Sequence, residues 1–309
     1  MADLNRLLRQ RKTFTAAFVA AAGSFVLGVM LPLNLRLNHL VSLWAVVQPQ
    51  KSATSPEVLK VTAAVEKRVE EAQKAIALLE EKQFSFLIPS QFQGTTVTQA
   101  KLGSKQKAIA LTFDDGPWPE TTVQILDILN KNDIKATFFW VGRYLKAFPE
   151  LGKRVAVAGH AIGNHTWNHK YVKYSQDAAA KEIDRTSSLI EEATGIDVSM
   201  FRPPGGILTN GLAAYAQQKK YTVVMWSADS LDWRNSMQSL KDNVLRQASS
   251  GGIVLMHDGG GNRSKTVQAL PNIIAELRKQ GYKFVTVPEL LQMQDEESKK
   301  QEIAHTTID

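Results

Sequence analysis

The chain has no cysteine among its 309 residues. That excludes a disulfide framework, a thiolate nucleophile and any metal site built on sulfur. A tightly held metal must therefore use His, Asp or Glu, and the chain has only six histidines. Aromatic residues are sparse at 8%, and the charge excess is modest, with 37 Lys+Arg against 30 Asp+Glu, or +7. No dense Arg/Lys stripe alternates with aromatics, so nucleic acid is not an expected partner, whereas an acidic polymer or a membrane surface is compatible. The hydrophobic content of 44% suffices for a sizeable core and excludes wholesale disorder. The length fits one large domain with extras, or two ordinary domains.

Charge is also missing locally. Residues 13–35 carry none, and about 20 helical residues span the roughly 30 Å hydrocarbon core of a bilayer. Arg6, Arg9, Arg11 and Lys12 precede the run. Residues 1–12 then form a basic cytoplasmic stub, 13–35 a transmembrane anchor, and the rest of the chain lies outside the plasma membrane, on the periplasmic or cell-wall side. A cleaved signal peptide is the rival reading, with Ala20-Ala21-Ala22 as a small-residue site, but the apolar run continues past it. Residues 36–104 read as a helical stalk and linker. Val58, Val61, Val65, Ala72 and Leu79 recur at helical spacing within 57–82, while Arg68 and Lys82 interrupt any strict heptad. One amphipathic helix accounts for the pattern, and a weak homodimer through 57–82 is the alternative. Pro89 and the Gln/Thr/Gly-rich stretch 90–104 read as linker, and residues 294–309 as a charged, frayed tail.

Between 105 and 293 short apolar runs alternate with helical patterns, which implies an α/β domain with a largely parallel sheet. The span is shorter than the about 250 residues of a full eightfold barrel, so a distorted, incomplete (β/α) barrel is expected, with an open doubly wound sheet as the alternative. Polar clusters sit just after the predicted strands, at the end where such folds carry their sites. Asp114-Asp115-Gly116-Pro117 offers two adjacent carboxylates that a turn can aim at one cavity, one to bind metal and one to take a proton. His165-Thr166-Trp167-Asn168-His169 spaces two imidazoles four residues apart, as one face of a helical turn would. The position after His165 is Thr166, not Glu, so the zinc-protease motif is excluded. His160 reads as an ordinary polar residue. Arg202-Pro203-Pro204-Gly205-Gly206 is a rigid turn whose arginine can pair with a carboxylate. Asp229-Ser230-Leu231-Asp232-Trp233 and Leu255-Met256-His257 place an aspartate where it can orient a histidine and raise its pKa.

These five pieces, in this order, resemble the polysaccharide deacetylase family (carbohydrate esterase family four), over about Lys105 to Met293. The resemblance implies an incomplete barrel and a divalent metal held by Asp115, His165 and His169, with zinc first and cobalt, nickel or iron as alternatives. It further implies Asp114 as base with Arg202 keeping it ionised, and His257, backed by Asp232, as the acid that protonates the leaving amine. The backbone N–H of Gly205 would face the oxyanion, and Trp233 and Leu255 would wall the acetyl pocket. One departure stands out. The family often has an aromatic, usually Tyr, at Gly205, and its absence is expected to open the groove. The implied reaction is removal of N-acetyl groups from a cell-wall polysaccharide, most naturally peptidoglycan. O-Deacetylation of a xylan-type polysaccharide and non-catalytic glycan binding are the alternatives.

Overall fold

The computed structural model describes residues 66–70, 86–104, 106–234 and 236–306. The expected stub, the span 13–35 and most of the helix expected over 57–82 lie outside these residues. Residues 66–70 are helical and exposed, and they belong to a first unit, 1–71; all other described residues belong to the second, 72–309. Among the described residues no helix is long and apolar enough to cross a membrane.

The sheet grows around one strand, β2 (Ala108–Gly116), which is buried along its whole length. Its alternation decides the site. Ile109, Leu111 and Phe113 face one apolar cluster, whereas Ala108 and Ala110 belong to another on the opposite face. The period of two then puts Thr112 and Asp114 on the face of Ala108 and Ala110. The first cluster packs the sheet against α1 (Thr121–Lys131) and α7 (Ser264–Lys279) through Ile125, Leu129, Leu270 and Ile274.

The remaining strands are β1 (Thr96–Val97), β3 (Thr137–Trp140), β4 (Ala161–Asn164), β5 (Met200–Phe201), β6 (Thr222–Val224), β7 (Ala228–Asp229), β8 (Gly252–His257) and β9 (Lys283–Phe284). Their order is β1-β6-β5-β4-β3-β2-β8-β7, with β9 paired to the start of β2, and every strand pairing is parallel. A closed barrel would join β6 to β7. Among the described residues these do not pair, and β1 takes the free edge of β6. The fold is a parallel-strand half-barrel of α/β type, and the expected incomplete barrel is what forms.

Two expectations about the flanks do not hold. The stretch 90–104 is no linker: Phe92, Val97 and Ala100 are buried with Ala110, Met200 and Val224. Its polar composition hid a short strand that fills the interior left open by the missing closure. The tail is not frayed either, because the last helix, α8 (Val287–Thr306), runs through it. Thr286 and Glu289 cap its start reciprocally, the Thr286 N–H donating to the Glu289 carboxylate at 2.7 Å. Farther along, Gln294 accepts from the Lys101 N–H and Asp295 from Gln91, so the two flanks hold each other.

Candidate active site

Adjacent residues on a strand point to opposite faces, so Asp114 and Asp115 need a break in the pleat to share a cavity. The break is a bulge: Asp114 pairs with Phe139 and Gly116 with Trp140, leaving Asp115 unpaired between them. Asp115 sits in the left-handed region at φ 73°, a conformation that Asp tolerates better than most residues. Both carboxylates then line one cavity of about 540 Å³.

The histidine loop is not the helical turn that the spacing suggested. It leaves β4 as irregular chain, with Thr166 at φ 69° and His169 at φ 55°. Side chains hold these conformations. Asn164 accepts from the Thr166 N–H at 2.8 Å, and Thr166 Oγ1 from the His169 N–H at 3.0 Å. Glu182, buried on α4 (Gln176–Thr194), accepts from the Trp167 N–H, the Asn168 N–H and the Asn168 side-chain amide at 2.7–2.9 Å. This brings both imidazoles to Asp115, whose Oδ1 lies 3.5 Å from His165 Nε2 and 3.0 Å from His169 Nε2. The three donor atoms are all within 4.8 Å of one another. Burial and the neighbouring His169 lower the His165 pKa to about 3, so the ring is neutral, and its Nδ1–H donates to the Arg202 carbonyl at 2.7 Å. Nε2 is thereby left as the lone-pair nitrogen. Asp115 Oδ1 is buried without a hydrogen-bond partner. One acceptor-only oxygen facing two imidazole nitrogens is a donor set suited to a divalent cation.

Arg202 is fully buried and its fork is occupied on every side. Nη1 donates to Asp114 Oδ1 at 2.7 Å and to Thr112 Oγ1 at 2.8 Å, Nε to the Val224 carbonyl and Nη2 to that of Met225. The guanidinium lies 4.1 Å from the Phe139 ring centroid. Burial pushes the Asp114 pKa above its ordinary value, with Arg202 pulling it back. Arg202 therefore limits the rise and does not hold the carboxyl below its usual range.

On the other side of β2, the strand register pairs Asp114 with His257. Asp232 Oδ1 accepts from His257 Nδ1 at 2.7 Å, while its Oδ2 accepts from the His257 N–H and from Thr266 Oγ1, each at 2.8 Å. Burial alone would lower the His257 pKa. The hydrogen bond to Asp232 and the charges of Asp232, Asp114 and Asp115 overcome this and raise it to about 9.

The structure thus gathers the ten expected residues: Asp114, Asp115, His165, His169, Gly205, Trp233, Leu255 and His257 line the cavity, with Arg202 and Asp232 directly behind. Trp233 is 56% exposed and stands at the mouth, whereas Leu255 is buried. His160 lies apart, buried edge-on to Phe138, with Nδ1 accepting from the Ala136 N–H. Sequence reasoning missed Glu182, Tyr171, Arg143 and Arg263. Arg263, whose Nη2 is 3.9 Å from Asp115 Oδ2, follows a glycine-rich loop that carries no periodic signal. Glu182 reads in sequence as one more polar position of an amphipathic helix. The expected opening at Gly205 is not seen, because the Tyr171 ring fills that space.

A profile of the polysaccharide deacetylase family matches residues 101–224. A peptidoglycan-N-acetylglucosamine deacetylase of Bacillus cereus is 41% identical over 208 residues, which cover 66% of this chain and 98% of that protein. The crystal structure of the Bc1960 peptidoglycan N-acetylglucosamine deacetylase superposes with a TM-score of 0.61 at 34% identity, covering 65% of this chain and 94% of that one. BA3943 of Bacillus anthracis, described as a pseudoenzyme of carbohydrate esterase family four, is also similar, with a TM-score of 0.58, 33% identity and coverage of 63% and 68%. The site belongs to the class of polysaccharide deacetylases, and this chain is a member of that family, carbohydrate esterase family four.

Two variants test the architecture behind the cavity. Glu182→Gln turns an N–H donor toward loop donors and should weaken binding of a divalent cation about tenfold or more while the fold is kept, read by calorimetry and circular dichroism. Unchanged cation affinity would show that the loop holds itself. Asp232→Asn removes the charge that raises the His257 pKa, so the alkaline limb of kcat/KM should move to lower pH, toward the ordinary imidazole value of about 6.5. An unmoved limb would remove His257 as the group that must stay protonated.

Proposed function

We propose that the protein is a metal-dependent hydrolase that removes N-acetyl groups from N-acetylated sugars of a cell-wall polysaccharide, with peptidoglycan as the substrate. The observation that carries this reading is the convergence on one cavity of Asp115, His165 and His169, flanked by Asp114–Arg202 and His257–Asp232. The peptidoglycan deacetylases among the relatives support the choice of polymer. The complete set of ligands, base and acid argues against a non-catalytic glycan-binding role.

An amide is a poor electrophile, and its amine leaves only once protonated. A divalent cation, zinc foremost, held by Asp115, His165 and His169 would supply Lewis acidity to the acetyl carbonyl and acidity to water. Asp114 takes a proton from the attacking water, and its burial-raised pKa makes it a stronger acceptor than a solvated carboxylate. Arg202 fixes that carboxylate through Oδ1 and leaves Oδ2 for the proton. The Gly205 N–H stabilises the oxyanion, a kind of donor typically worth about 10²–10³ in rate. His257, held by Asp232 through Nδ1, offers Nε2–H to the departing amine. Leu255 and Trp233 bound the acetyl methyl. The products are acetate and a sugar amine that is cationic at neutral pH.

The reading includes a place. A charge-free span at 13–35 behind four basic residues suits an uncleaved single-pass anchor, with the domain on the outer side of the plasma membrane, where cell-wall glycan lies. The full chain should sediment with membranes and a chain lacking residues 1–35 should not; recovery of both in the soluble fraction would refute the anchor.

Acetate release tests the chemistry. The wild-type protein should release acetate from N-acetylglucosamine oligomers and peptidoglycan more than from acetylated xylan, and a chelator should abolish it. Asp115→Ala should lose bound metal and activity together, whereas Asp114→Asn should keep the metal and lose about 10²-fold or more in rate. Full activity of Asp114→Asn would remove it as base, and preference for acetylated xylan would move the reading to an O-acetyl esterase.

A further inference from the structure

The turn after Arg202 contains two consecutive left-handed glycines, Gly205 at φ 61° and Gly206 at φ 68°. Each leaves room for an aromatic ring from elsewhere. A Cβ on Gly206 would stand 2.8 Å from Trp226, and a Cβ on Gly205 would stand 2.6 Å from Cε1 of Tyr171. The wall of the cleft beside the oxyanion donor is therefore supplied by the histidine loop, two residues past His169, and not by the turn itself.

Tyr171 is held in place rather than free on the surface. Its ring stands edge-on to the His169 ring, with centroids 5.3 Å apart and an interplanar angle of 81°. The chain on either side is pinned: the His169 N–H donates to Thr166 Oγ1, the Tyr174 hydroxyl to the Lys170 carbonyl at 3.1 Å, and the Tyr174 N–H to the Asn210 carbonyl at 2.8 Å. Even so, Tyr171 remains 62% exposed, and it lines the same cavity as Trp233, itself 56% exposed. A large aromatic held in place yet uncovered at the mouth of a polar cavity, beside a second exposed aromatic, suits a surface that a ligand covers. The matching ligand is a pyranose ring, whose axial C–H groups meet the electron-rich face of an aromatic ring while its hydroxyls stay in water.

We propose that Tyr171 is a sugar-binding residue that stacks on the pyranose adjoining the acetylated one, and that Gly205 is small because the Tyr171 ring takes its side-chain space. The proposal rests on the deacetylase reading of the site and names a subsite within it. With N-acetylglucosamine oligomers, Tyr171→Ala should raise KM about five- to tenfold with kcat and cation affinity little changed, and Tyr171→Phe should stay near wild type. Gly205→Ala pushes the ring aside, so removing Tyr171 in that background should cause no further rise in KM. Calorimetric binding of the oligomers to each variant gives a readout independent of turnover. An unchanged KM and affinity in Tyr171→Ala, or a loss confined to kcat and cation binding, would overturn the proposal. Absence of acetate release by the wild type, with ring-dependent oligomer binding retained, would refute the deacetylase reading and leave the subsite standing.

Discussion

Everything at this site depends on a backbone inversion at Asp115. A regular strand would send one of two neighbouring aspartates into the cavity and the other into the apolar layer beneath the helices, where an unpaired charge costs several kcal/mol. The bulge and the φ of 73° turn both carboxylates the same way. They then diverge in role through their partners. Asp114 meets a buried guanidinium and Asp115 meets two imidazoles, so two chemically identical side chains become different tools within one peptide unit. Left-handed residues recur at Thr166 and His169, each held by side-chain hydrogen bonds, and such clustering of backbone strain is what a preorganised site requires.

Arg202 carries the complementary burden. A fully buried arginine is tolerable only when its donors are matched, and here Asp114, Thr112 and two backbone carbonyls match them. The same residue offers its own carbonyl to His165, fixing that ring's tautomer. One side chain and its backbone thus join Asp114 to the metal-ligand candidates across the interior of the half-barrel.

Much of this was legible in the sequence, because strand ends are. Short apolar runs between helical patterns mark the main strands, and polar residues just beyond them mark the face that carries the cavity. The spacing of His165 and His169 was visible, but its geometry was not, since it depends on Glu182 from another element and on left-handed torsions that no pattern announces. The segment 90–104 reads as linker because a two-residue strand with one buried side chain, Val97, has no periodicity of its own. Tyr171 escaped notice for a similar reason: its meaning lies in a void at residue 205, and a missing Cβ is informative only when something is seen to occupy its place.

Glu182 has one more implication. Its carboxylate gathers three donors of the histidine loop onto the first turns of a long outer helix. Opening of that helix would therefore release three of the loop's hydrogen bonds, and the amide protons of residues 167 and 168 should exchange faster wherever it opens. The placement of the two imidazoles thus leans on a helix outside the sheet as well as on the strand that precedes them.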